Sequence, residues 1–476
     1  MLFNSLHFVF FFIIVTSLYF ALPYNRRWLL LLLSSCYFYM AFVPIYILIL
    51  GFTIVIDYFA GRYIENADGK RRKLFLIFSL VANIGVLAIF KYYNFLNHNF
   101  SFLMHGFGLS NPIPYLSILL PIGLSFHTFQ AMSYNIEVYR GRQKAEKHFG
   151  IYSLYVMFYP QLVAGPIERP QNLLHQFREK YDFEYERVVD GLKLMLWGLF
   201  KKLVIADRLA IYINVVYNNA AEHNGKTLIL ATIFFAFQIY CDFSGYSDIA
   251  IGAAKVMGFK LMTNFNRPFL ARNISEFWKR WHISLATWFK DYLYISLGGN
   301  RVSIPRLYFN LFLVFLISGL WHGANWTYII WGALNGFYLI FAIISQRIRN
   351  KINRLTGIEK LPRLNHLLQI LVTFTLSCFA FIFFRANDVN DAFIIIKKIS
   401  TFGGSIYVEN ISIMIYSFLG IFILLFVEFK MEFYKGEFSF FTNNSWVVRN
   451  LSYALIIILI MLFGVFDGGQ FIYFQF

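Results

Sequence analysis

Two histidines stand in stretches of sequence that could carry proton chemistry. His322 lies in LISGLWHGANWTYIIWGALNG, and His282 lies in FWKRWHISLATWF. Imidazole is the side chain best suited to take up and return a proton near neutral pH. Neither histidine has carboxylate or cysteine neighbours at the spacing of metal ligands. The pattern therefore favours a proton relay or general base over a zinc site, and it predicts no bound metal.

Two acids interrupt an otherwise apolar stretch, YCDFSGYSDIAIG. Asp242 and Asp248 are six residues apart and would lie on different faces of an ideal helix. They could bind a substrate or a cation, or they could cap a helix break at Gly245. The residues alone leave both interpretations open.

The elements that carry these side chains are predicted to be membrane helices. The chain has 476 residues, of which 58% are apolar, 21% are aromatic and 14% are charged. The charged residues gather between long apolar runs, as in helices that satisfy their backbone in lipid. We predict an all-α polytopic membrane protein with ten to twelve transmembrane helices plus re-entrant and interfacial helices, in a single domain over residues 1–476. The net charge of +17 fits the positive-inside bias better than nucleic-acid binding.

The apolar run before His322 is short. Residues 307–321 would reach about 22 Å as a helix, less than the roughly 30 Å of a bilayer core. We therefore expect His322 to lie within the thickness of the membrane, where irregular backbone must be buried in protein or line a wet cavity. An ionisable side chain at that depth is a functional hypothesis by default, and a structural histidine is the alternative.

Residues 274–297 carry an aromatic stripe that predicts an amphipathic helix at the cytoplasmic interface. Ser284 is expected to point away from this stripe. A purely structural interfacial anchor is the alternative. The members of the stripe recur at spacings of three and four: Phe277, Trp281, Leu285, Trp288 and Tyr292.

Basic clusters set the predicted orientation. They occur at residues 26–27, 70–73, 140–147 and 347–354. If these loops are cytoplasmic, the tail at residues 467–476 lies on the extracytoplasmic side.

The longest motifs resemble one family. The stretch from YCDFSGYSDIAIG through FWKRWHISLATWFKDYLYISLGGNR, together with SGLWHGANWTYIIWG, LPIGLSFHTFQAMSYNIEVYRG and FYPQLVAGPIERPQNLL, is similar to the membrane-bound O-acyltransferase family. More narrowly, the chain resembles the bacterial branch of this family, which contains alginate O-acetylase, peptidoglycan O-acetyltransferase and the membrane component of teichoic-acid D-alanylation. It runs through most of the chain.

This resemblance implies a helical ring around a funnel with His322 at the narrow point as the catalytic residue, and His282 as a second catalytic candidate. Trp321, Asn325, Asp242 and Asp248 become candidates for the funnel or substrate site. An acyl thioester, by similarity acetyl-CoA, would be the cytoplasmic donor, with no cofactor held permanently. An envelope polysaccharide would be the acceptor.

The resemblance also implies a setting: the bacterial cytoplasmic membrane, and an extracytoplasmic acetyltransferase or esterase-like partner protein. D-alanyl transfer from a carrier protein and a non-enzymatic transporter or export component are the alternatives.

The closing DGGQFIYFQF resembles an aromatic C-terminal motif in which a tyrosine is proposed to carry the acyl group. Here that residue is Tyr473. A phenol has a pKa of about 10, well below water's value of about 15.7, so an aryl ester could pass its acyl group onward. The alternative is an aromatic anchor at the membrane surface.

Overall fold

The structure is a computed structural model that describes residues 1–117, 120–434, 445–466 and 471. Its regular secondary structure over these residues is helical throughout, so the predicted all-α class is confirmed. The predicted relay tyrosine, Tyr473, lies outside the described residues, as does most of the tail at 467–476.

The chain folds into two compact units. Unit 1 comprises Met1–Met195 and Ser247–Met262, and unit 2 comprises Leu196–Tyr246 and Thr263–Phe476. The single domain expected from the sequence stays a prediction. One helix, α10 (Tyr185–Leu199), begins in unit 1 and ends in unit 2.

Unit 1 is built from nine further helices among the described residues, and a π-helical segment at Ala88–Tyr92 joins the fourth to the fifth. They are α1 (Leu6–Ala21), α2 (Tyr24–Met40), α3 (Ile47–Asn66), α4 (Gly69–Leu87), α5 (Tyr93–Gly106), α6 (Leu124–Tyr139), α7 (Phe149–Met157), α8 (Tyr159–Leu162) and α9 (Pro170–Leu173).

A buried polar cluster ties together three helices of unit 1. Asp57 on α3 accepts hydrogen bonds from Ser79 Oγ (2.6 Å) and Asn83 Nδ2 (2.9 Å) on α4 and from Asn135 Nδ2 (2.8 Å) on α6. Three donors aimed at one carboxylate offset part of the cost of burying it. The cluster fixes the register in which the three helices pack.

The described part of unit 2 holds the remaining α-helices and two π-helical segments, Phe200–Ala206 and Phe289–Tyr294. The helices are α11 (Asp207–Asn218), α12 (Gly225–Met257, whose end belongs to unit 1), α13 (Ile274–Arg280), α14 (Ile283–Trp288), α15 (Ile304–His322), α16 (Trp326–Ile344), α17 (Gln346–Leu355), α18 (Pro362–Arg385), α19 (Val389–Thr401), α20 (Ile411–Phe433) and α21 (Trp446–Phe463).

Eight helical stretches of the described chain are long and apolar enough to cross a membrane. They include α12, α15, α16, α18, α20 and α21, and the continuous stretches Pro44–Asn66 and Gly69–Gly106. The chain is therefore a multi-pass membrane protein. The α1 helix is apolar but shorter, at 16 residues, and the full count of ten to twelve crossings stays a prediction.

The predicted continuous helix over 274–297 is wrong. The chain bends at Trp281–His282, between α13 and α14, and then enters the π-helical segment. The bend arises because the backbone on both sides bonds to a preceding extended stretch: Asn266 N donates to Arg280 O (2.9 Å) and Ile283 N to Asn264 O (2.8 Å). The aromatic stripe is nevertheless buried, and so is Ser284.

Candidate functional site

His322 is the last residue of α15, where the helix ends inside a box of aromatic rings. Its imidazole lies 5.0 Å from the Trp321 ring, 4.9 Å from Trp331 and 5.4 Å from Phe384, measured between centroids. The residue is 4% exposed. The box holds the imidazole in one place and keeps bulk water from most of its surface.

The length of α15 differs from the prediction. The helix begins at Ile304, ahead of the apolar run, because Pro305 suits a first helical turn. Its 19 residues give a length of about 28 Å, close to the thickness of a bilayer core. The depth of His322 in the membrane therefore stays a prediction.

The turn after His322 is set by Gly323 and Asn325. A Cβ on Gly323 would stand 2.2 Å from the Tyr328 ring, so only glycine fits there. Asn325 Oδ1 then accepts Thr327 N (3.1 Å) and caps α16, while its Nδ2 donates to Asn387 O (3.2 Å). The oxygen and the nitrogen of the Asn325 side-chain amide thus both bond to backbone atoms. Its expected role in a funnel stays a prediction.

Small residues let α15 and α16 approach closely. A Cβ on Gly319 would lie 2.3 Å from Tyr328 O, and one on Gly332 would lie 2.4 Å from Phe315 O. Glycine pairs of this kind allow membrane helices to touch backbone to backbone. The contact fixes the end of α15, and with it His322, against Trp331 on α16.

His282 lies at the bend between α13 and α14 in a left-handed conformation, φ 42° and ψ 54°. A residue other than glycine in this region carries roughly 1–3 kcal/mol of strain and is retained only where its surroundings hold it. Here Asn264 holds it, because Asn264 Oδ1 faces His282 Nδ1 at 3.2 Å.

The same asparagine fixes the tautomer of His282. Asn264 Oδ1 also receives Ser284 N (3.3 Å) and Ser284 Oγ (2.9 Å), and a backbone N–H can only donate. The atom that faces His282 is therefore the oxygen, so Nδ1 carries the proton and Nε2 keeps its lone pair. Burial lowers the pKa of His282 from 6.5 to about 3, so the ring is neutral at pH 7.

The structure brings the two predicted histidines to one cavity of about 380 Å³. The Trp321 ring joins them, with its centroid 6.3 Å from that of His282 and 5.0 Å from that of His322. Two lysines, Lys279 and Lys290, also line the cavity and are exposed. The rest of the lining is mainly apolar: Trp278, Trp281, Ile283, Leu285, Ala286, Phe289, Leu311, Val314, Phe315 and Leu339.

Asp242 lies in unit 2 within a buried ion cluster, and it does not line this cavity. Lys202 Nζ stands 2.7 Å from Asp242 and 2.8 Å from Asp207. The α12 helix runs unbroken through Gly245, so the proposed cap of a helix break there is wrong. Gly245 instead allows close packing, since its Cβ would lie 2.7 Å from Gly198 O. Asp248 belongs to unit 1.

Sequence reasoning missed Asn264, Phe243 and Phe384. Asn264 is fully buried and orients His282. Phe243 packs edge-on against the His282 ring at 4.6 Å, and Phe384 closes the box around His322. Phe243 and Asn264 lie within the long stretch that carries the family resemblance, and Phe384 lies outside the quoted motifs, but no local pattern shows that any of the three contacts a histidine.

The described end of the chain comes close to the site. Val465 N donates to Leu203 O (3.0 Å) in the π-helical segment, where a wider helical turn frees carbonyls. Phe471 is 1% exposed and packs on Phe243 (5.5 Å) and Tyr246 (4.9 Å). Phe243 is thus in ring contact with both His282 and Phe471.

Comparison with known proteins gives a consistent set of similarities. Residues 143–385 match the model of the membrane-bound O-acyltransferase family, MBOAT. The chain is 39% identical to a probable alginate O-acetylase, AlgI, of Pseudomonas aeruginosa over 85% of this chain and 75% of that protein. It is 35% identical to a peptidoglycan O-acetyltransferase of Helicobacter pylori (83% and 79%) and 27% identical to a teichoic acid D-alanyltransferase of Bacillus subtilis (59% and 73%).

Proposed function

The chain belongs to the membrane-bound O-acyltransferase family and is an O-acyltransferase, and on that premise we propose that it passes an acetyl group from cytoplasmic acetyl-CoA to an extracytoplasmic envelope polysaccharide. The acceptor class is an alginate-like exopolysaccharide or peptidoglycan, in keeping with the names of the two more similar relatives. The bacterial cytoplasmic membrane and an extracytoplasmic acetyltransferase or esterase-like partner belong to the same proposal.

The observation that carries this proposal is the shared cavity of the two histidines. His322 accepts the proton of the attacking hydroxyl, whose oxygen bonds to the acyl carbon of the thioester. The carbon–sulfur bond then breaks, and the proton passes from His322 to the departing thiolate. Neutral His282 contributes the lone pair of Nε2 as a hydrogen-bond acceptor for the bound group.

The walls and the rim of the cavity have different roles. Its mainly apolar lining excludes water, which would otherwise hydrolyse the thioester. Lys279 and Lys290 supply positive charge for the phosphates of the donor. These contacts would bind the phosphates and not the reacting thioester. The variant Lys279→Gln/Lys290→Gln should therefore raise the KM for acetyl-CoA more than it lowers kcat, whereas an uncharged thioester donor should show no change in KM.

We propose that Tyr473 is the first acceptor of the acetyl group. Tyr473 follows Phe471 by two residues in the sequence. Phe471 is buried against Phe243, which contacts His282. A phenyl acetate formed on Tyr473 transfers its acetyl group to a sugar hydroxyl or a partner serine, and the phenol regains the proton of that hydroxyl.

The test is incubation of the purified protein in lipid nanodiscs with labelled acetyl-CoA, followed by peptide mass spectrometry. We expect label on Tyr473 in the wild type, no label in Tyr473→Phe, and at least about 100-fold slower labelling in His322→Ala, since a general base contributes about 10²–10⁴. The exposed His105 offers a matched control, His105→Ala, which should label normally. A folded His322→Ala protein that labels at the wild-type rate would contradict the assignment.

The same assay separates the donors. A D-alanyl carrier-protein thioester should give no label if acetyl-CoA is the donor, and the lower similarity to the D-alanyltransferase supports this order. If the acetylated product is labelled but Tyr473 is not, the relay role of Tyr473 is contradicted and the tail is an anchor. The proposed acetyl transfer would still stand. The family matches do not support a non-enzymatic transporter.

A further inference from the structure

A second opening in unit 2 lies outside the histidine site. We name it the α16–α18 groove. It encloses about 530 Å³ between the end of α16, helix α17, the first half of α18 and the residues that begin α13. Neither histidine lines it, and the proposed acetyl transfer does not use it.

One part of the groove is apolar and faces outward. Phe337, Phe341, Leu368, Val372 and Leu376 line it. They stand on α16 and α18, which are both candidate membrane spans, and Phe341 and Val372 are 55% and 59% exposed. An exposed apolar surface on a membrane helix is in contact with lipid hydrocarbon.

The other part is a polar and cationic rim. Arg349 on α17 is tied to the end of α16 by Nη2, which donates to Ala342 O (2.6 Å), and the same atom donates to Gln346 Oε1 (2.8 Å) at the start of α17. Arg272 stands at the rim beside the start of α13. Amides complete the rim, and no acidic side chain is among the described residues that line the groove. The asparagines among the lining residues are Asn273, Asn350, Asn353 and Asn365.

We propose that the α16–α18 groove binds an anionic phospholipid, with an acyl chain along Phe341 and Val372 and the phosphate between Arg272 and Arg349. Apolar walls on spanning helices match an acyl chain, and a lining with two arginines and no acid matches an anionic head group. Glu276 pairs with Arg272 Nε at 3.5 Å from outside this lining. The α17 helix, which borders the groove, also favours an anionic lipid over a zwitterionic one. Its residues 346–355 contain no acid and four basic side chains: Arg347, Arg349, Lys351 and Arg354.

The bound lipid supports the helix that leads into the histidine site. Asn273 Oδ1 accepts Glu276 N (2.9 Å) and Glu276 Oε2 accepts Arg272 N (2.9 Å), so residues 272–276 cap the start of α13. The next turn carries Trp278 and Lys279, which line the cavity of the two histidines. A phosphate held by Arg272 therefore stabilises the cap of α13.

The test is native mass spectrometry of the detergent-solubilised protein with phosphatidylglycerol and phosphatidylcholine of identical chains. We expect the wild type to retain phosphatidylglycerol at least about fivefold more than phosphatidylcholine. The variant Arg272→Gln/Arg349→Gln should lose this preference. The control Arg347→Gln/Arg354→Gln removes the same charge from residues that do not line the groove, and it should keep the preference.

A second variant tests the acyl-chain half. Val372→Trp fills the groove without changing charge, so it should weaken retention of phosphatidylglycerol while its melting temperature in detergent stays near that of the wild type. Glycerol 3-phosphate, which lacks acyl chains, should not compete. Equal retention of both lipids by the wild type, or an undiminished preference in Arg272→Gln/Arg349→Gln, would overturn the proposal.

Discussion

His282 and His322 are held by different means, and the difference shows in how pH should act on the protein. His322 is held by the rings around it at the end of a helix. His282 is held through its own ring nitrogen by Asn264, in a strained backbone conformation, and burial keeps it neutral.

The low pKa of His282 predicts a loss of stability in acid. Its folded pKa of about 3 lies below the ordinary value of 6.5, so the unfolded chain binds this proton first. The stability that neutral His282 contributes to the folded protein is complete above pH 6.5 and falls as the pH drops towards 3. Between pH 8 and pH 5 we expect a loss of about 2 kcal/mol, which His282→Gln should lack; melting curves of both proteins across this range measure it. Parallel curves would contradict the prediction.

Lys202 is a residue whose removal should be more harmful than the removal of its whole cluster. Lys202→Met leaves Asp207 and Asp242 buried without the ammonium that stands within 2.8 Å of each, and we expect a loss of about 3–5 kcal/mol. Lys202→Met/Asp207→Asn/Asp242→Asn removes the charge as a set and should recover most of the stability. Melting temperatures in one detergent compare the three proteins, and a triple variant no better than the single one would contradict the prediction.

At the scale of the element, the pairing of α15 with α16 positions His322. The two helices touch through Gly319 and Gly332, where the space for a Cβ is already occupied by backbone. A change at this contact moves the end of α15 and the aromatic box together.

Gly319→Val should therefore separate the helices, with a cost of about 1–3 kcal/mol for overpacking and a larger loss of acetyl transfer than of stability. Gly85→Ala on α4 is the matched control, since a Cβ there meets no atom within 4 Å. It should leave the melting temperature unchanged or raise it slightly. Thermal unfolding and the labelling assay check both variants. A Gly319→Val protein with normal stability and activity would show that the close contact is not required.

At the scale of the whole molecule, the distribution of basic residues predicts an orientation. Residues 347–354 should face the cytoplasm and residue 476 the opposite side. In a background without reactive native cysteines, Phe476→Cys should react with a membrane-impermeant maleimide in intact cells. Asn353→Cys on α17 should react only after permeabilisation. The reverse pattern would reverse the topology.

The class of the protein and its two histidines could be predicted from the sequence, because long apolar runs report membrane helices and the His322 and His282 motifs are local. Local patterns could not give the bend at Trp281–His282, since it depends on backbone bonds to residues 264–266. For the same reason the partner of Asp242 was missed, because Lys202 stands on a different element. Periodicity could identify the buried stripe and could not reveal that it is spread over three helical segments.

Trp321 offers a spectroscopic probe of the two histidines. Its indole packs against both imidazoles, with centroids 5.0 Å and 6.3 Å away, and the 19F chemical shift of a labelled indole responds to the charge and polarity of such neighbours. Protonation of either histidine therefore changes the surroundings of this indole. A protein with 19F-labelled tryptophan, compared with Trp321→Phe to assign the resonance, would thus report protonation at the site spectroscopically, without an added dye and before any product has formed.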